Sequence, residues 1–192
     1  MIPHERIRTR ISSAVLAFVL VASAAPAGAG NGPLYTPLAA FTDGKTGRHL
    51  WTVAGVTKRL GIVTAISCTS LDVPGTSADI GVEFFDEAGT QLNTVGTPAA
   101  PGACNGSLLD VAAGSSVTIA NGGTAQFHED CIVGTGTFSG SARIVSTSSK
   151  VICNAQLEDS KSVILDASGN PTGRTPAMSK LALVRRNKQA GD

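Results

Sequence analysis

Short segments of alternating apolar and polar residues, separated by glycine-, proline- and aspartate-rich turns, constrain the fold of this chain most strongly. In residues 79–86, Ile80, Val82 and Phe84 share one face of an extended strand, and Glu83 lies on the opposite face, which we expect to meet water. No apolar period of 3.6 residues persists for three turns beyond the N-terminal region. The pattern predicts an all-β fold: a single antiparallel β-sandwich of about seven to nine strands.

The alternation of apolar and polar residues is clearer in some predicted strands than in others. They are residues 50–57, 61–71, 79–86, 90–95, 115–120, 141–147, 150–157 and 179–185. The sequence Asp86-Glu87-Ala88-Gly89 predicts a hairpin turn between the third and fourth strands, with Gly89 suited to positive φ. The stretch 124–138 is weakly patterned, with Phe127 and Cys131 as expected anchors in the core.

The N-terminal region has the three zones of a cleavable signal helix. Three arginines precede an uncharged apolar run, 11–25, and Ala27-Gly28-Ala29 then fits a cleavage site before Gly30. Cleavage after Ala24 satisfies the same rule. An uncleaved anchor is the alternative, but the run is shorter than the roughly 20 residues that span a bilayer. The mature form is therefore expected to have no membrane span, and its location is predicted to be periplasmic or extracellular.

Four regions follow from these boundaries. They are a signal peptide (1–29), a linker that leads into the domain (30–48), the β-sandwich (49–186) and a C-terminal tail (187–192). Removal of the signal peptide lowers the Lys and Arg count from 15 to 12 and the Asp and Glu count from 14 to 13, so the net charge changes from +1 to −1. A nearly neutral protein lacks the basic field that draws proteins to nucleic acid, and no nucleic-acid partner is predicted.

The four cysteines fit an oxidising compartment, and their spacing lacks the paired ligands of a zinc site. Cys68 and Cys153 both occupy core-facing positions at the middle of predicted strands, which favours a disulfide between them across the sandwich. Cys104 and Cys131 lie in glycine-rich surroundings and are predicted to pair with each other. Three connectivities remain open, as does a form with two free buried thiols and one loop disulfide.

The densest polar cluster is the run 127–131, where His128 and Asp130 are the side chains able to converge on a metal ion. The alternative that we favour is a solvated loop held by Cys131, and no metal or cofactor is predicted. Trp51, the single tryptophan, is a third weak candidate for ligand binding, although its apolar neighbours favour a place in the core.

Other catalytic patterns are weak. No G-x-S-x-G nucleophile motif occurs. A glycosidase pair could be sought among Glu83, Asp86 and Glu87, but the last two belong to the predicted turn, where aspartate caps the backbone. No D-x-D-x-D loop is present for calcium. The sequence therefore predicts no catalytic residues.

Several motifs resemble those of exported bacterial immunoglobulin-like sandwich domains. They are Ser67-Cys68-Thr69-Ser70-Leu71, Val82-Glu83-Phe84-Phe85-Asp86 with Gly89, the strand start Ala113–Ile119, and the closing segments Gly140–Ser146 and Val151–Leu157. The resemblance implies an immunoglobulin-like or jelly-roll-like sandwich and bacterial export, and carries over no activity and no functional residue. Trp51 precedes the first core cysteine, unlike the tryptophan of antibody domains.

We therefore expect an exported, non-catalytic β-sandwich that acts through surface contacts as an envelope, matrix or adhesion component, with another envelope or extracellular protein as partner. The alternatives are a module that binds a small ligand or glycan and an enzyme of unfamiliar type that uses His128 as a base. The sequence leaves the oligomeric state open.

Overall fold

A computed structural model describes residues 34, 36–59, 61–100, 114–134, 136–159 and 179–185. Within these ranges the chain forms nine strands and one short helix. In chain order they are β1 (Arg48–Lys58), β2 (Ile62–Ser70), β3 (Ser77–Phe85), β4 (Ser116–Ala120), β5 (Thr124–His128), α1 (Glu129–Val133), β6 (Phe138–Ser146), β7 (Val151–Asp159), β8 (Ser179–Lys180) and β9 (Leu183–Arg185). The predicted signal peptide and the predicted C-terminal tail lie outside the described residues.

The strands form two antiparallel sheets. One has the order β4-β3-β6-β1-β9 and the other the order β5-β2-β7-β8. The tight β4–β5 connection passes from one sheet to the other through Gly122, whose φ of 73° suits glycine. This arrangement confirms the predicted all-β antiparallel sandwich.

The main core lies between the two sheets and follows the alternation of the strands. Ile66 and Cys68 on β2 face Ile80, Val82 and Phe84 on β3 within one buried cluster. Burial of each large apolar side chain contributes roughly 1.5–3 kcal/mol. The inward face of β3 is therefore the one that the sequence predicts.

The prediction of a strand over residues 90–95 is wrong. The described structure has a single isolated bridge there, between Phe85 and Gln91. The predicted turn is present, since Asp86 accepts the N–H groups of Ala88 and Thr90. After it, the side chain of Asn93 replaces strand pairing: its Oδ1 accepts the Phe84 N–H at 2.6 Å and its Nδ2 donates to the Val82 carbonyl at 2.8 Å. A side chain that satisfies backbone groups leaves the local chain free to depart from strand geometry.

The expectation that Glu83 faces water is also wrong. Glu83 lies on the outer side of β3, as the alternation requires, but it is fully buried. Its Oε2 is 2.5 Å from Arg143 Nε, and its Oε1 accepts the Val95 N–H at 3.1 Å. Arg143 in turn donates from Nη1 to the carbonyl of Thr36 at 2.8 Å. A second layer of chain therefore covers this outer face.

Residues 36–47, which belong to the predicted linker, form part of that layer. Phe41 is buried against Val95 and Val145 in a separate small core. Gly81 makes room for it, because a Cβ at this position would lie 2.7 Å from Val95 and 3.2 Å from Phe41. This part of the chain packs on the sandwich as an additional layer.

In the part of the chain that the structure describes, no helix has both the length and the apolar character needed to cross a membrane.

Candidate functional site

The polar run around His128 forms the junction between β5 and α1. We call His128, Glu129 and Asp130 the β5–α1 junction. The prediction of a solvated loop is wrong, since His128 is 4 % exposed and Glu129 is fully buried. The physical reason lies on either side of the junction, where Phe127 and Ile132 are anchored in the main core and draw the polar residues inward.

Glu129 completes the β2–β5 ladder at the point where β5 ends. Ala65 of β2 pairs with His128, the last residue of β5, so the N–H of Thr64 lies beyond the last strand residue. The Oε2 of Glu129 accepts this N–H at 2.6 Å. A carboxyl oxygen thus occupies the place that a backbone carbonyl would take if β5 continued.

The surroundings of Glu129 favour its neutral form. The pKa of the Glu129 carboxyl is raised to about 8, mainly by burial and secondly by the negative charge of Asp130. The hydrogen bond from Thr64 and the positive charge of Lys58 act in the opposite direction but are outweighed. At neutral pH this side chain is therefore mainly protonated and able to donate a proton.

Each residue of the junction has one buried polar atom without a hydrogen-bond partner. These atoms are His128 Nε2, Glu129 Oε1 and Asp130 Oδ1. Buried polar atoms without partners are rare and mark either a cost to stability or a chemical role. Among the described residues, however, no group of three or more His, Cys, Asp and Glu side chains is arranged to hold a metal ion.

Trp51 lies in the other sheet, on β1, apart from the junction. It pairs with Arg185 of β9, and the Arg185 guanidinium lies 5.7 Å from the centre of the indole ring. The ring is partly buried and packs against the main core. The structure thus gives Trp51 a partner within its own chain and does not bring it together with His128.

The predicted pair Cys68 and Cys153 forms a disulfide, but not across the sandwich. The two residues lie directly opposite each other on the adjacent strands β2 and β7 of one sheet, with a Cα–Cα distance of 4.1 Å. Alternation placed both on the inward face but could not show that their strands are neighbours. Cys131 is also disulfide-bonded. Its predicted partner, Cys104, lies outside the described residues.

The three carboxylates considered for glycosidase chemistry serve other purposes. Glu83 is bound to Arg143 beneath the outer layer. Asp86 caps the turn that follows β3, and Glu87 is exposed in that turn.

The outer side of the four-stranded sheet is a surface that the sequence did not single out. Six uncharged side chains lie there, and we call them the open face. They are Ser67 and Thr69 of β2, Thr124 and Gln126 of β5, and Ile152 and Asn154 of β7. Thr124, Ile152 and Asn154 are exposed, the others half-buried. The signal was present in the alternation of β2 and of the first half of β7, where the outward residues Ser67, Thr69, Ile152 and Asn154 carry no charge.

The backbone pairing confirms which positions face outward. Register places Thr69 beside both Thr124 and Ile152, and Ser67 beside both Gln126 and Asn154. The hydroxyls of Thr69 and Thr124 are 2.7 Å apart and hydrogen-bonded. Leu71, which continues the outward alternation of β2, is 52 % exposed, and its N–H donates to the Lys150 carbonyl. The result is a surface of hydroxyl, amide and aliphatic groups.

Comparison with known proteins finds no matching family model, no matching curated protein and no matching solved structure. The resemblance to immunoglobulin-like domains stays a prediction.

Proposed function

We propose that this chain is an exported, non-catalytic β-sandwich that acts through surface contacts with another envelope or extracellular protein. The observation that carries the proposal is the open face, six uncharged side chains in two rows on the four-stranded sheet. Protein interfaces are depleted of charge at their centres, because a charged group is costly to separate from water. The six side chains of the open face meet this condition without any rearrangement.

The chemistry of the open face also indicates the kind of partner. Ile152 and Leu71 are each more than half exposed and offer apolar contact. The hydroxyl and amide groups beside them can donate and accept hydrogen bonds. A partner surface of the same mixed and uncharged character fits best. The disulfide between Cys68 and Cys153 supports the proposed export, because such bonds persist in oxidising compartments.

A charge placed on the open face tests the proposal. We expect Ile152→Lys to reduce retention of the protein by isolated envelope and extracellular-matrix fractions of its host by about tenfold or more, because the new ammonium group must lose its water at the interface. The matched control is Val184→Lys, which adds the same charge to β9 at a position that is 60 % exposed.

Retention is measured as the fraction of purified protein that sediments with each preparation, after circular dichroism has shown that both variants are folded. The proposal predicts that the control binds like the unchanged protein. Equal retention of Ile152→Lys and the unchanged protein would show that the open face is not the contact surface.

A further inference from the structure

One residue of β1 holds both ends of the connection between α1 and β6. The connection runs from Gly134, which follows α1, to Phe138, the first residue of β6. Lys58, the last residue of β1, lies opposite Phe138 in the β1–β6 ladder, and its Nζ donates to the Gly134 carbonyl. Gly134 has a φ of 77° and Gly136 a φ of 132°, values that suit glycine. The Lys58 ammonium group therefore fixes a segment whose glycines allow other conformations.

The carboxyl group of Glu129, at the start of α1, lies near the same lysine. Thr64 links the two residues. Its N–H donates to Glu129 Oε2 at 2.6 Å, and its hydroxyl donates at 2.9 Å to the carbonyl of Thr57, which immediately precedes Lys58 in β1. Burial raises the pKa of the Glu129 carboxyl, and the positive charge of Lys58 lowers it, so the ammonium group acts on this carboxyl. Glu129 Oε1 is nevertheless buried without a hydrogen-bond partner.

The charged groups around Glu129 give Lys58 a specific role. Asp130 follows Glu129 on α1 and opposes its ionisation, and His128 precedes it at the end of β5. The nine residues of β2 include no Asp, Glu, His, Lys or Arg. A buried carboxylate without a counter-charge is costly. Lys58 is the positive charge that acts on Glu129, so ionisation of the carboxyl favours the approach of its ammonium group.

We propose that the Lys58 side chain is a switch that responds to the protonation of Glu129. While Glu129 holds its proton, the ammonium group binds the Gly134 carbonyl. When the proton passes to water, the ammonium group turns to Oε1 of the carboxylate, and the Gly134 carbonyl loses its donor. The ammonium group then binds a full negative charge in place of a neutral carbonyl, which is the reason for the exchange.

The consequence is a connection between α1 and β6 that is fixed at neutral pH and released at alkaline pH. The carboxyl pKa of about 8 places the exchange just above neutral pH. Phe138 stays in its ladder with Lys58, so the release is confined to the segment that begins at Gly134. The inference does not depend on the proposed function, because none of these residues belongs to the open face.

Carbon-13 NMR of the purified, isotopically labelled chain tests the switch from about pH 6 to about pH 10. The side-chain carboxyl carbon of Glu129 reports its ionisation, and the carbonyl carbon of Gly134 reports the hydrogen bond that it accepts. We expect both signals to move with pH and to share one midpoint, because one proton controls both.

Three variants separate the switch from simple titration. Glu129→Gln should keep the Gly134 signal at its low-pH position throughout. In Lys58→Met the Glu129 midpoint should rise by at least about half a pH unit, because a counter-charge is lost, and the Gly134 signal should no longer follow pH. Lys150→Met is the matched control. It removes a lysine that lies beside Asp72 at the opposite end of β2, and it should behave like the unchanged chain.

Three results would overturn the inference. Glu129 does not titrate in this range, the Gly134 signal of the unchanged chain stays still while Glu129 titrates, or the Gly134 signal moves equally in Lys58→Met. The first two are read from the unchanged chain, so the test remains decisive if a variant fails to fold. The retention experiment with Ile152→Lys is independent of all three results.

Discussion

The two sheets of the sandwich have outer sides of opposite character. The five-stranded sheet is covered by residues 36–47 and by the segment around Val95, and it buries Glu83, Arg143 and Asp79 beneath them. The open face of the four-stranded sheet consists of two rows of side chains across β5, β2 and β7, and neither row contains a charged side chain. Buried charge thus lies where the chain itself supplies partners, and the two rows of the open face contain none.

The difference shows how a chain with only 15 % charged residues can bury charges on one sheet and leave an uncharged surface on the other. A buried ion pair is tolerated where the charges meet closely and further hydrogen bonds support them. Glu83 binds Arg143 and accepts the Val95 N–H, although Arg143 Nη2 is buried without a hydrogen-bond partner. Such a pair fixes one arrangement of the covering layer. The open face has no comparable buried ion pair, so its side chains remain available for contact with another molecule.

The largest expected effect is on the covered side. Glu83→Ala leaves the Arg143 guanidinium buried without its carboxylate, and we expect the free energy of unfolding to fall by about 3–5 kcal/mol. Asn154→Ala on the open face is the control, expected to change it by less than about 0.5 kcal/mol. Urea unfolding monitored by circular dichroism measures both. Similar values for the two variants would remove the distinction between the sides.

The sequence predicted the strand faces well but not what covers them. Alternation correctly placed Val82 and Phe84 in the core and Glu83 on the outer side. It could not show that Phe41, more than forty residues from Phe84 along the chain, belongs to a layer over that outer side, because this contact depends on the order of the strands. The expectation that Glu83 faces water failed for that reason.

The junction and the Cys68–Cys153 disulfide show two further limits of prediction from the sequence. A five-residue helix is too short to display a helical period, so α1 was invisible and Glu129 was read as part of a loop. The pairing of Cys68 with Cys153 was predicted, but their position on neighbouring strands required the strand order. The open face, in contrast, could be inferred from the sequence, because the outward positions Ser67, Thr69 and Asn154 carry no charge.

A smaller effect is expected at the junction, and it depends on pH. The folded-state pKa of Glu129 is raised from 4.5 to about 8. Between these values the unfolded chain has lost the proton and the folded chain holds it, so stability falls as pH rises through the window and is constant above it. Glu129→Gln resembles the protonated side chain and avoids this loss. We expect the variant to be more stable than the unchanged chain by about 2 kcal/mol at pH 9, after relaxation of the site is allowed for.

The measurement is the difference in melting temperature between Glu129→Gln and the unchanged chain, taken from pH 4 to pH 9. It should be near zero or negative at pH 4 and become steadily more positive towards pH 9. Glu87→Gln makes the same chemical change at the exposed turn after β3 and should show no such trend. Parallel curves for the Glu129 variant and the unchanged chain would mean that the buried carboxyl is not held neutral.

The smallest expected effect compares the same kind of substitution on the two outer sides. Ile152→Thr replaces a side chain that is 53 % exposed, and its hydroxyl meets water, so the free energy of unfolding should change by less than about 0.5 kcal/mol. Val145→Thr places a hydroxyl in the fully buried small core beside Phe41 and should cost about 1–3 kcal/mol. Urea unfolding of both variants gives the difference directly. A cost for Ile152→Thr as large as that for Val145→Thr would show that the open face is already covered within the chain and is not free to bind a second surface.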